Sequence, residues 1–285
     1  MKNTAVAFVL FIMATGFAAA SDYSETLVLE NERAAEAVVY ADAKVDRNRK
    51  VGGLTVDEYI KSWEEFDGEP EKKLFSDKVL IKVPIVNQYP EMPVGCEISA
   101  ATSVINYMGF TISDTDFAKK YFKIRSESDN FGFWYDSEDV FHGPDPELEF
   151  IGNPFGWGYG TYPAAIAKAM NTYFTNVGSL SKAYEADNLI EEDFIRLVDG
   201  GVPVIVWATM DMDSFDYRDP AVWLTPKNEE IVWYKGSHTL VLCGYDDDAF
   251  YFMDPNDKEE IMAFGKELFM TRFKEAGKKA VIVKY

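Results

Sequence analysis

The sequence predicts an α+β fold in which a mainly helical half precedes a mainly antiparallel sheet half. Helical spacing of small and apolar residues recurs between residues 96 and 199, and strand-like apolar runs dominate residues 202–285. No repeat or long low-complexity gap interrupts residues 79–285. With 47% hydrophobic residues in a chain of 285, the composition can fill the core of a large domain. Residues 79–285 are therefore expected to form one domain.

The N-terminus has the pattern of a secretory signal peptide. Lys2 precedes an apolar run over residues 4–17, and the small residues Ala18 and Ala20 fit an A-x-A cleavage site. The alternative is an uncleaved membrane anchor, but the run is short for a bilayer span. We expect cleavage after residue 20, a secreted protein that begins at Ser21, and no transmembrane domain after cleavage.

Residues 21–78 are polar and charged and have helical spacing over residues 25–43 and 55–66. Thr55 is a candidate cap, with Glu58 three positions later. The segment has too few large apolar residues for a core of its own. The sequence predicts a charged helical extension that either docks over the cleft of the main domain or serves as a solvated spacer.

The first half of the domain is predicted from apolar spacing and helix end signals. A strand is expected over residues 79–86, and a buried helix begins at Cys96 and stops at Gly109. Two more helices are expected over residues 113–122 and 162–173, the second with Pro163 in its first turn. The aromatic and acidic segment between them, residues 126–160, has little periodicity and is predicted to form loops.

The second half reads mainly as strands separated by turns. A short helix over residues 191–199 is stopped by the pair Gly200 and Gly201, and a later helix covers residues 266–275. Acidic residues 246–248 mark a turn between two adjacent strands. The predicted strands cover residues 202–208, 238–244, 249–253 and 280–285.

Charge and motif patterns exclude several classes of function. The formal net charge is -20 and the positive residues are scattered, so the basic stripe that nucleic-acid binding needs is missing. The two histidines, His142 and His238, form no His-Glu-x-x-His pattern, which argues against a zinc hydrolase. The glycines of residues 156–160 lack the lysine of a phosphate-binding loop. We expect neither a metal nor a cofactor.

Four residues are candidates for nucleophilic catalysis. Cys96 lies at a predicted helix N-terminus, where backbone N–H groups and the helix dipole favour a thiolate. His238 begins a strand and Asp254 follows the next one, so an antiparallel pair would bring the carboxylate to the imidazole. The amide of Gln88 and the Cys96 N–H could stabilise an oxyanion.

The second cysteine, Cys243, lies in the apolar run of residues 239–244. This environment predicts a core residue of a buried strand. The alternative is a disulfide with Cys96, because an even number of cysteines in a secreted chain suggests pairing.

Four segments carry a resemblance to a known family, namely Val83 to Glu97, Gly143 to Pro146, Phe150 to Pro154 and His238 to Pro255. In these segments the chain resembles the C39-like family of papain-fold cysteine peptidases, and the likeness spans about residues 79–285. The resemblance implies a papain-like fold with the active site between its two halves. It carries the family's catalytic residues onto Cys96, His238 and Asp254 and its oxyanion glutamine onto Gln88. Gln88 lies eight positions before Cys96, whereas six is usual in papain-like enzymes.

Together these patterns predict a secreted cysteine hydrolase that cleaves peptide or other amide bonds through an acyl-enzyme. An amidase or acyltransferase on the same fold is the nearest alternative, and a non-catalytic surface binding protein is another.

The segment 156–160 is expected either to line the substrate cleft or to pack as a loop. Residues 131–135, with Trp134, would form another cleft wall or a buried aromatic cluster. The oligomeric state is not encoded in any pattern.

Overall fold

The computed structural model describes residues 50–51, 54–55, 78–186, 188–256 and 261–284. The predicted signal peptide and nearly all of the predicted extension, including its two helical stretches, lie outside the described residues. Within the extension, strands β1 (Lys50–Val51) and β2 (Leu54–Thr55) pair antiparallel. The candidate cap Thr55 therefore lies in a strand.

Five helices are present in the described part of the chain, and the first carries the candidate nucleophile. Helix α1 is buried from Cys96 to Ile105, and its many small side chains let it pack closely against a sheet. The Ser113 hydroxyl caps α2 by accepting from the Asp116 N–H at 3.1 Å. No described helix is long and apolar enough to cross a membrane. The helices are α1 (Cys96–Tyr107), α2 (Asp114–Tyr121), α3 (Pro163–Asn176), α4 (Glu191–Asp199) and α5 (Lys266–Glu275).

The main sheet has seven described strands in the order β14-β13-β12-β9-β15-β8, with β3 paired to β12. All neighbouring strands run antiparallel. The long strand β12 pairs with β9 on one side and β13 on the other, so it lies at the centre. The strands are β3 (Val79–Leu80), β8 (Lys182–Glu185), β9 (Val204–Thr209), β12 (Ser237–Tyr245), β13 (Ala249–Met253), β14 (Ile261–Gly265) and β15 (Ala280–Lys284).

Strand β3 is shorter than the sequence predicts. The expected strand over residues 79–86 ends at Leu80, although the Ile81 N–H still donates to the Cys243 carbonyl at 2.7 Å. Pro84 has no N–H to donate, and Ile85 is exposed rather than packed on the core. The chain therefore leaves the sheet and runs as an irregular segment toward Cys96.

A second sheet corrects the prediction of loops over residues 126–160. Four short strands and a 3-10 turn (Glu127–Gly132) lie there. Two of these strands, β4 and β5, join two strands from residues 216–235 in a sheet with the order β11-β10-β5-β4. Strands of two or three residues are too short to leave a periodic signal. The strands are β4 (Trp134–Tyr135), β5 (Phe141–His142), β6 (Ile151–Gly152), β7 (Gly158–Gly160), β10 (Asp216–Leu224) and β11 (Glu230–Lys235), with β6 and β7 forming a separate hairpin.

Two hydrophobic clusters hold these elements together. The larger cluster joins α1, α3 and the main sheet, and the Trp207 indole of β9 donates to the Thr161 carbonyl at 2.9 Å. The smaller cluster contains Phe133, Ile151, Trp223 and Trp233. Of the expected aromatic segment 131–135, Phe133 is thus buried, whereas Trp134 and Tyr135 are exposed.

Cys243 is a fully buried free thiol in β12, and Cys96 is also free, so the two cysteines form no disulfide. Burial raises the pKa of the Cys243 thiol to about 12. Its sulfur lies 3.5 Å from the Tyr251 carbonyl of the neighbouring strand. Cys243 is therefore a core residue, as its apolar run predicts.

We expect Cys243→Ala to lower the free energy of unfolding by about 1 kcal/mol, because it leaves a small cavity in the sheet. Leu180→Ala is the control, since the Leu180 side chain is 91% exposed and its loss should change stability little. Chemical denaturation of both variants checks this. An unchanged stability for Cys243→Ala would show that its packing contributes nothing.

Candidate active site

The loop before α1 packs tightly enough to require glycine at position 95. A Cβ atom on Gly95 would lie 2.7 Å from the Met92 Cβ, so another residue there would displace the loop. Cys96 follows as the first residue of α1 and is only 9% exposed. Helix N-termini leave their first N–H groups without partners inside the helix. The candidate nucleophile is therefore held at the position that the sequence predicts.

His238 and Asp254 meet in a buried hydrogen bond. His238 is the second residue of β12, and Asp254 follows directly after β13. The pairing of Val241 with Met253 turns the chain back so that the His238 Nε2 lies 2.7 Å from the Asp254 Oδ1. The same oxygen accepts the Asn256 N–H at 2.8 Å, which fixes the carboxylate. The hairpin thus brings the two residues together, as its turn signal predicts.

The thiol of Cys96 lies beside the start of β12. The backbone N–H of Thr239, the neighbour of His238, lies close enough to the Cys96 sulfur to lower the pKa of the thiol. The other ring nitrogen of His238, Nδ1, is buried and has no hydrogen-bond partner among the described residues. With Nε2 held by Asp254, Nδ1 is the ring atom that remains available to take a proton.

Gln88 is buried in the loop that leads to the nucleophile. Its backbone N–H donates to the Pro255 carbonyl at 2.8 Å, which ties the loop to the residue after Asp254. The Gln88 Nε2 donates to the Pro93 carbonyl at 3.0 Å, and this amide nitrogen carries a second hydrogen. The neighbouring Asn87 also has a buried amide nitrogen, which lacks a partner among the described residues. The loop therefore offers two amide donors near the start of α1.

Glu97 is a member of the site that the sequence patterns do not predict. Its side chain is 2% exposed, its Oε1 accepts the Thr161 N–H at 3.0 Å, and its Oε2 accepts the Cys96 thiol at 3.4 Å. The available signal is an acidic residue directly after the candidate nucleophile, within a helix otherwise built from small and apolar residues. That signal indicates a buried carboxyl, but it does not show that the carboxyl accepts a hydrogen bond from the Thr161 N–H.

Burial dominates the electrostatics of the site. Burial and the adjacent Glu97 carboxylate raise the pKa of the Cys96 thiol well above its ordinary value, and the Thr239 N–H acts in the opposite direction. Burial also raises the pKa of Glu97 to about 7. A helix N-terminus favours a thiolate, but the desolvation of the Cys96 sulfur is the largest effect on its pKa and favours the thiol. The raised pKa of Cys96 therefore favours the neutral thiol over the thiolate.

His142 and most of the segment 156–160 make packing contacts and hydrogen bonds away from the candidate active site. The His142 Nε2 forms a hydrogen bond with the Asp136 Oδ2 at 3.0 Å, and the imidazole ring stacks on the exposed Trp134. Within the segment 156–160, Trp157 packs on Phe131, whereas Gly160 lies against the Glu97 carboxyl. Only the end of that segment thus reaches the site. The described residues contain no group of three or more His, Cys, Asp or Glu side chains arranged to hold a metal ion.

The fold resembles that of known proteins. A crystal structure assigned as a C39-like peptidase from Bacillus anthracis superposes with a TM-score of 0.62 at 22% identity, covering 74% of this chain and 98% of that one. Xylellain, a cysteine protease from Xylella fastidiosa, matches with a TM-score of 0.37 at 15% identity over 78% of this chain and 91% of its own. The first of these likenesses supports the papain-like α+β fold that the sequence predicts.

Sequence comparison gives the family. The uncharacterized protein YvpB of Bacillus subtilis (strain 168) is 24% identical over 224 residues, which are 74% of this chain and 78% of that protein. The model of the Peptidase_C39 like family matches residues 80–281, well over half of the chain. The chain therefore belongs to the Peptidase_C39 like family.

Proposed function

We propose that this protein is a cysteine hydrolase that cleaves peptide or other amide bonds, with Cys96 as nucleophile, His238 as base and Asp254 as the residue that orients the base. The observation that carries the proposal is the 2.7 Å bond between His238 Nε2 and Asp254 Oδ1, which leaves the buried Nδ1 without a partner among the described residues. The effect of the Thr239 N–H on the pKa of the Cys96 thiol indicates that the sulfur lies near the same end of β12. Membership in a peptidase-like family supports an amide substrate.

The reaction starts with proton transfer from the Cys96 sulfur to the His238 Nδ1. The thiolate attacks the substrate carbonyl carbon, and the tetrahedral intermediate then breaks its C–N bond while His238 returns the proton to the leaving amine. Water gives a proton to His238 and attacks the resulting thioester. The C–S bond then breaks, the acid product leaves, and the proton returns to Cys96.

Asp254 contributes by orientation. Its carboxylate accepts from Nε2 and is itself held by the Asn256 N–H, so the imidazole ring is fixed with Nδ1 directed away from the aspartate. The carboxylate also stabilises the imidazolium that forms when Nδ1 takes the proton. Both contributions act through His238 rather than on the substrate.

Two donors are proposed for the oxyanion of the tetrahedral intermediate. The backbone N–H of Cys96 belongs to the first turn of α1, where helix geometry supplies no partner. The second is the Gln88 Nε2, which has one hydrogen on the Pro93 carbonyl and another left for the substrate. The bond between Gln88 and Pro255 holds this amide close to the His238 and Asp254 hairpin.

We expect Cys96→Ala and His238→Ala each to lower kcat by about 10⁴-fold or more on a cleavable peptide from a library digestion, because both act in one chemical unit. Asp254→Ala should retain more activity, since its role is orientation. The measurement is steady-state hydrolysis, with circular dichroism to confirm that each variant is folded.

Cys243→Ala is the matched control, because it removes the other thiol and should keep the wild-type kcat. Hydrolysis by purified Cys96→Ala at the wild-type rate would contradict the proposal. A folded wild-type protein that binds peptides but turns over none would instead favour a binding module, and transfer of the acyl group to an added amine in preference to water would favour an acyltransferase.

Gln88→Ala should lower kcat by about 10²-fold with little change in KM, the usual effect of removing one oxyanion donor. Asn87→Ala is the parallel variant, since the neighbouring amide nitrogen is also buried. The same steady-state assay compares the two. A normal kcat for Gln88→Ala combined with a loss for Asn87→Ala would assign the donor to Asn87.

We also propose that the hydrolase is exported and acts outside the cytoplasm. The support is the signal pattern of Lys2, the apolar run over residues 4–17 and the small residues before Ser21. N-terminal sequencing of the protein secreted by the source cells should begin at Ser21. A protein retained inside the cells with residues 1–20 intact would contradict export.

A further inference from the structure

The Glu97 carboxyl is built into the site but has no part in the proposed mechanism. Both of its oxygens are engaged, one by the Thr161 N–H at 3.0 Å and one by the Cys96 thiol at 3.4 Å. A buried carboxyl that contacts a nucleophile must affect the charge of that nucleophile, because Coulomb interactions are strong away from water.

The surrounding chain is shaped to hold this carboxyl. Gly160, at the end of β7, has a φ of +126°, and a Cβ atom there would collide with the Glu97 Oε1 and approach Trp233. Thr161 is fixed in turn, because its hydroxyl donates to the Pro146 carbonyl at 2.9 Å and its own carbonyl accepts the Trp207 indole N–H. The contact between Glu97 and the Thr161 N–H therefore rests on a rigid support.

Among the described residues, two titratable side chains face Glu97. Cys96 lies on the same helix, and His238 faces the carboxyl from β12, with Asp254 behind the imidazole. The elements on the other side present uncharged groups, namely Gly160 of β7, the N–H of Thr161 directly after β7, and the Trp233 ring of β11. The charge on Glu97 therefore acts mainly on the thiol and the imidazole.

The direction of the Cys96 thiol shows how the charge acts. The thiol donates to the Glu97 Oε2, whereas the His238 Nδ1 has no partner among the described residues. An ionised carboxylate holds the proton on sulfur as a hydrogen-bond donor and repels a thiolate. A protonated carboxyl does the opposite, because its O–H can donate to the thiolate without adding a second negative charge.

We propose that Glu97 is a positioning residue that sets the protonation state of the nucleophile: its ionised form holds Cys96 as a thiol, and its protonated form donates from Oε2 to the thiolate and releases the thiol proton to His238. The transfer is balanced, because the proton that leaves sulfur goes to Nδ1 while the Glu97 proton stays on its carboxyl. This inference rests on the proposed role of Cys96 as nucleophile.

The pKa of Glu97 places the change between its ionised and protonated forms near neutral pH. Burial raises it to about 7, against the lowering effects of its own backbone N–H, the Thr161 N–H, the Cys96 thiol and the charge of His238. Below that pH the carboxyl is protonated and the thiolate is favoured. Above it the carboxylate favours the thiol, until the solution is alkaline enough to deprotonate Cys96 itself.

Glu97→Gln tests the proposal because the isosteric amide imitates the protonated carboxyl. Its oxygen can still accept the Thr161 N–H, which turns the NH₂ group toward the Cys96 sulfur. The measurement is the rate of Cys96 alkylation by iodoacetamide between pH 5.5 and 8.5, with peptide mapping to separate Cys96 from Cys243. The wild-type rate should fall as the pH rises through about 7. The variant should show no such fall and should react about tenfold faster than the wild type at pH 8.

Glu147→Gln is the matched control. Burial also raises the pKa of Glu147, but its carboxylate accepts from the Ala164 N–H rather than from Cys96. This variant should keep the wild-type alkylation profile. The same inflection near pH 7 in wild type and Glu97→Gln would overturn the proposal, as would its loss in Glu147→Gln.

Difference infrared spectroscopy provides a second measurement that does not depend on thiol reactivity. The wild type should lose a carboxylic acid C=O band as the pH rises through about 7, and Glu97→Gln should lack that band. A wild-type spectrum without this change would contradict the proposal even if the variant proved unstable. Neither measurement needs a cleavable substrate, so failure to find hydrolysis would weaken the proposed function and leave this test intact.

The free energy of unfolding should depend on the protonation of Glu97. The folded-state pKa of Glu97, about 7, lies above the ordinary value of 4.5, so the folded protein binds this proton more tightly than the unfolded chain does. The resulting stabilisation is fully present below pH 4.5 and is lost as the pH rises to about 7. The melting temperature of the wild type relative to Glu97→Gln should therefore fall over that interval, and a constant difference would contradict the assignment.

Discussion

The contact between the first turn of α1 and the first residues of β12 is the constraint on which the rest of the structure depends. Helix α1 packs against β12 and so joins the helical half to the sheet half, and the Thr239 N–H acts on the Cys96 sulfur across this contact. Small side chains along the buried face of α1 allow the close approach. Because β12 lies between β9 and β13, its position is fixed by pairing on both sides. The location of His238, and through the hairpin that of Asp254, follows from this packing.

Burial sets the chemistry of the site as much as geometry does. Cys96, Glu97, His238 and Asp254 are all nearly excluded from water, so each charge there must be matched by a hydrogen bond or an opposite charge. Asp254 is matched by His238 and by the Asn256 N–H. Burial raises the pKa of Glu97 to about 7, although its own backbone N–H, the Thr161 N–H, the Cys96 thiol and the charge of His238 all act in the opposite direction. The two buried carboxyls of the site thus have different hydrogen-bond partners.

Local signals in the sequence were sufficient for the hairpin and several helices. Residues 246–248 mark the turn that pairs β12 with β13, and helix α5 has the bounds that its spacing predicts. The second sheet could not be predicted, because β4 and β5 are only two residues long and β10, which pairs with β5, lies far along the chain. For the same reason Glu97 was missed, since its partners Gly160 and Thr161 are more than sixty residues away.

Among the candidate site residues, too, some properties follow from local sequence signals and others depend on the whole fold. Cys96 and the pair of His238 with Asp254 could be found from a helix start and from adjacent strands, because each signal is local. The electrostatic state of Cys96 could not, because a helix N-terminus favours the thiolate while burial, which depends on the whole fold, disfavours it. Gln88 could be named from its amide and its place upstream of Cys96, and the family resemblance indicates the same residue. Its bonds to Pro93 and Pro255 are properties of the folded loop.

The central claim is that Cys96 forms a covalent acyl-enzyme with help from His238. The most direct measurement is mass spectrometry of the acid-quenched protein after brief exposure to an activated ester of a short peptide, followed by peptide mapping. The account predicts one acyl group on Cys96 in the wild type and in Cys243→Ala, and much slower acylation in His238→Ala. Substrate hydrolysis without any acylated Cys96, or an acyl group on Cys243 alone, would contradict it.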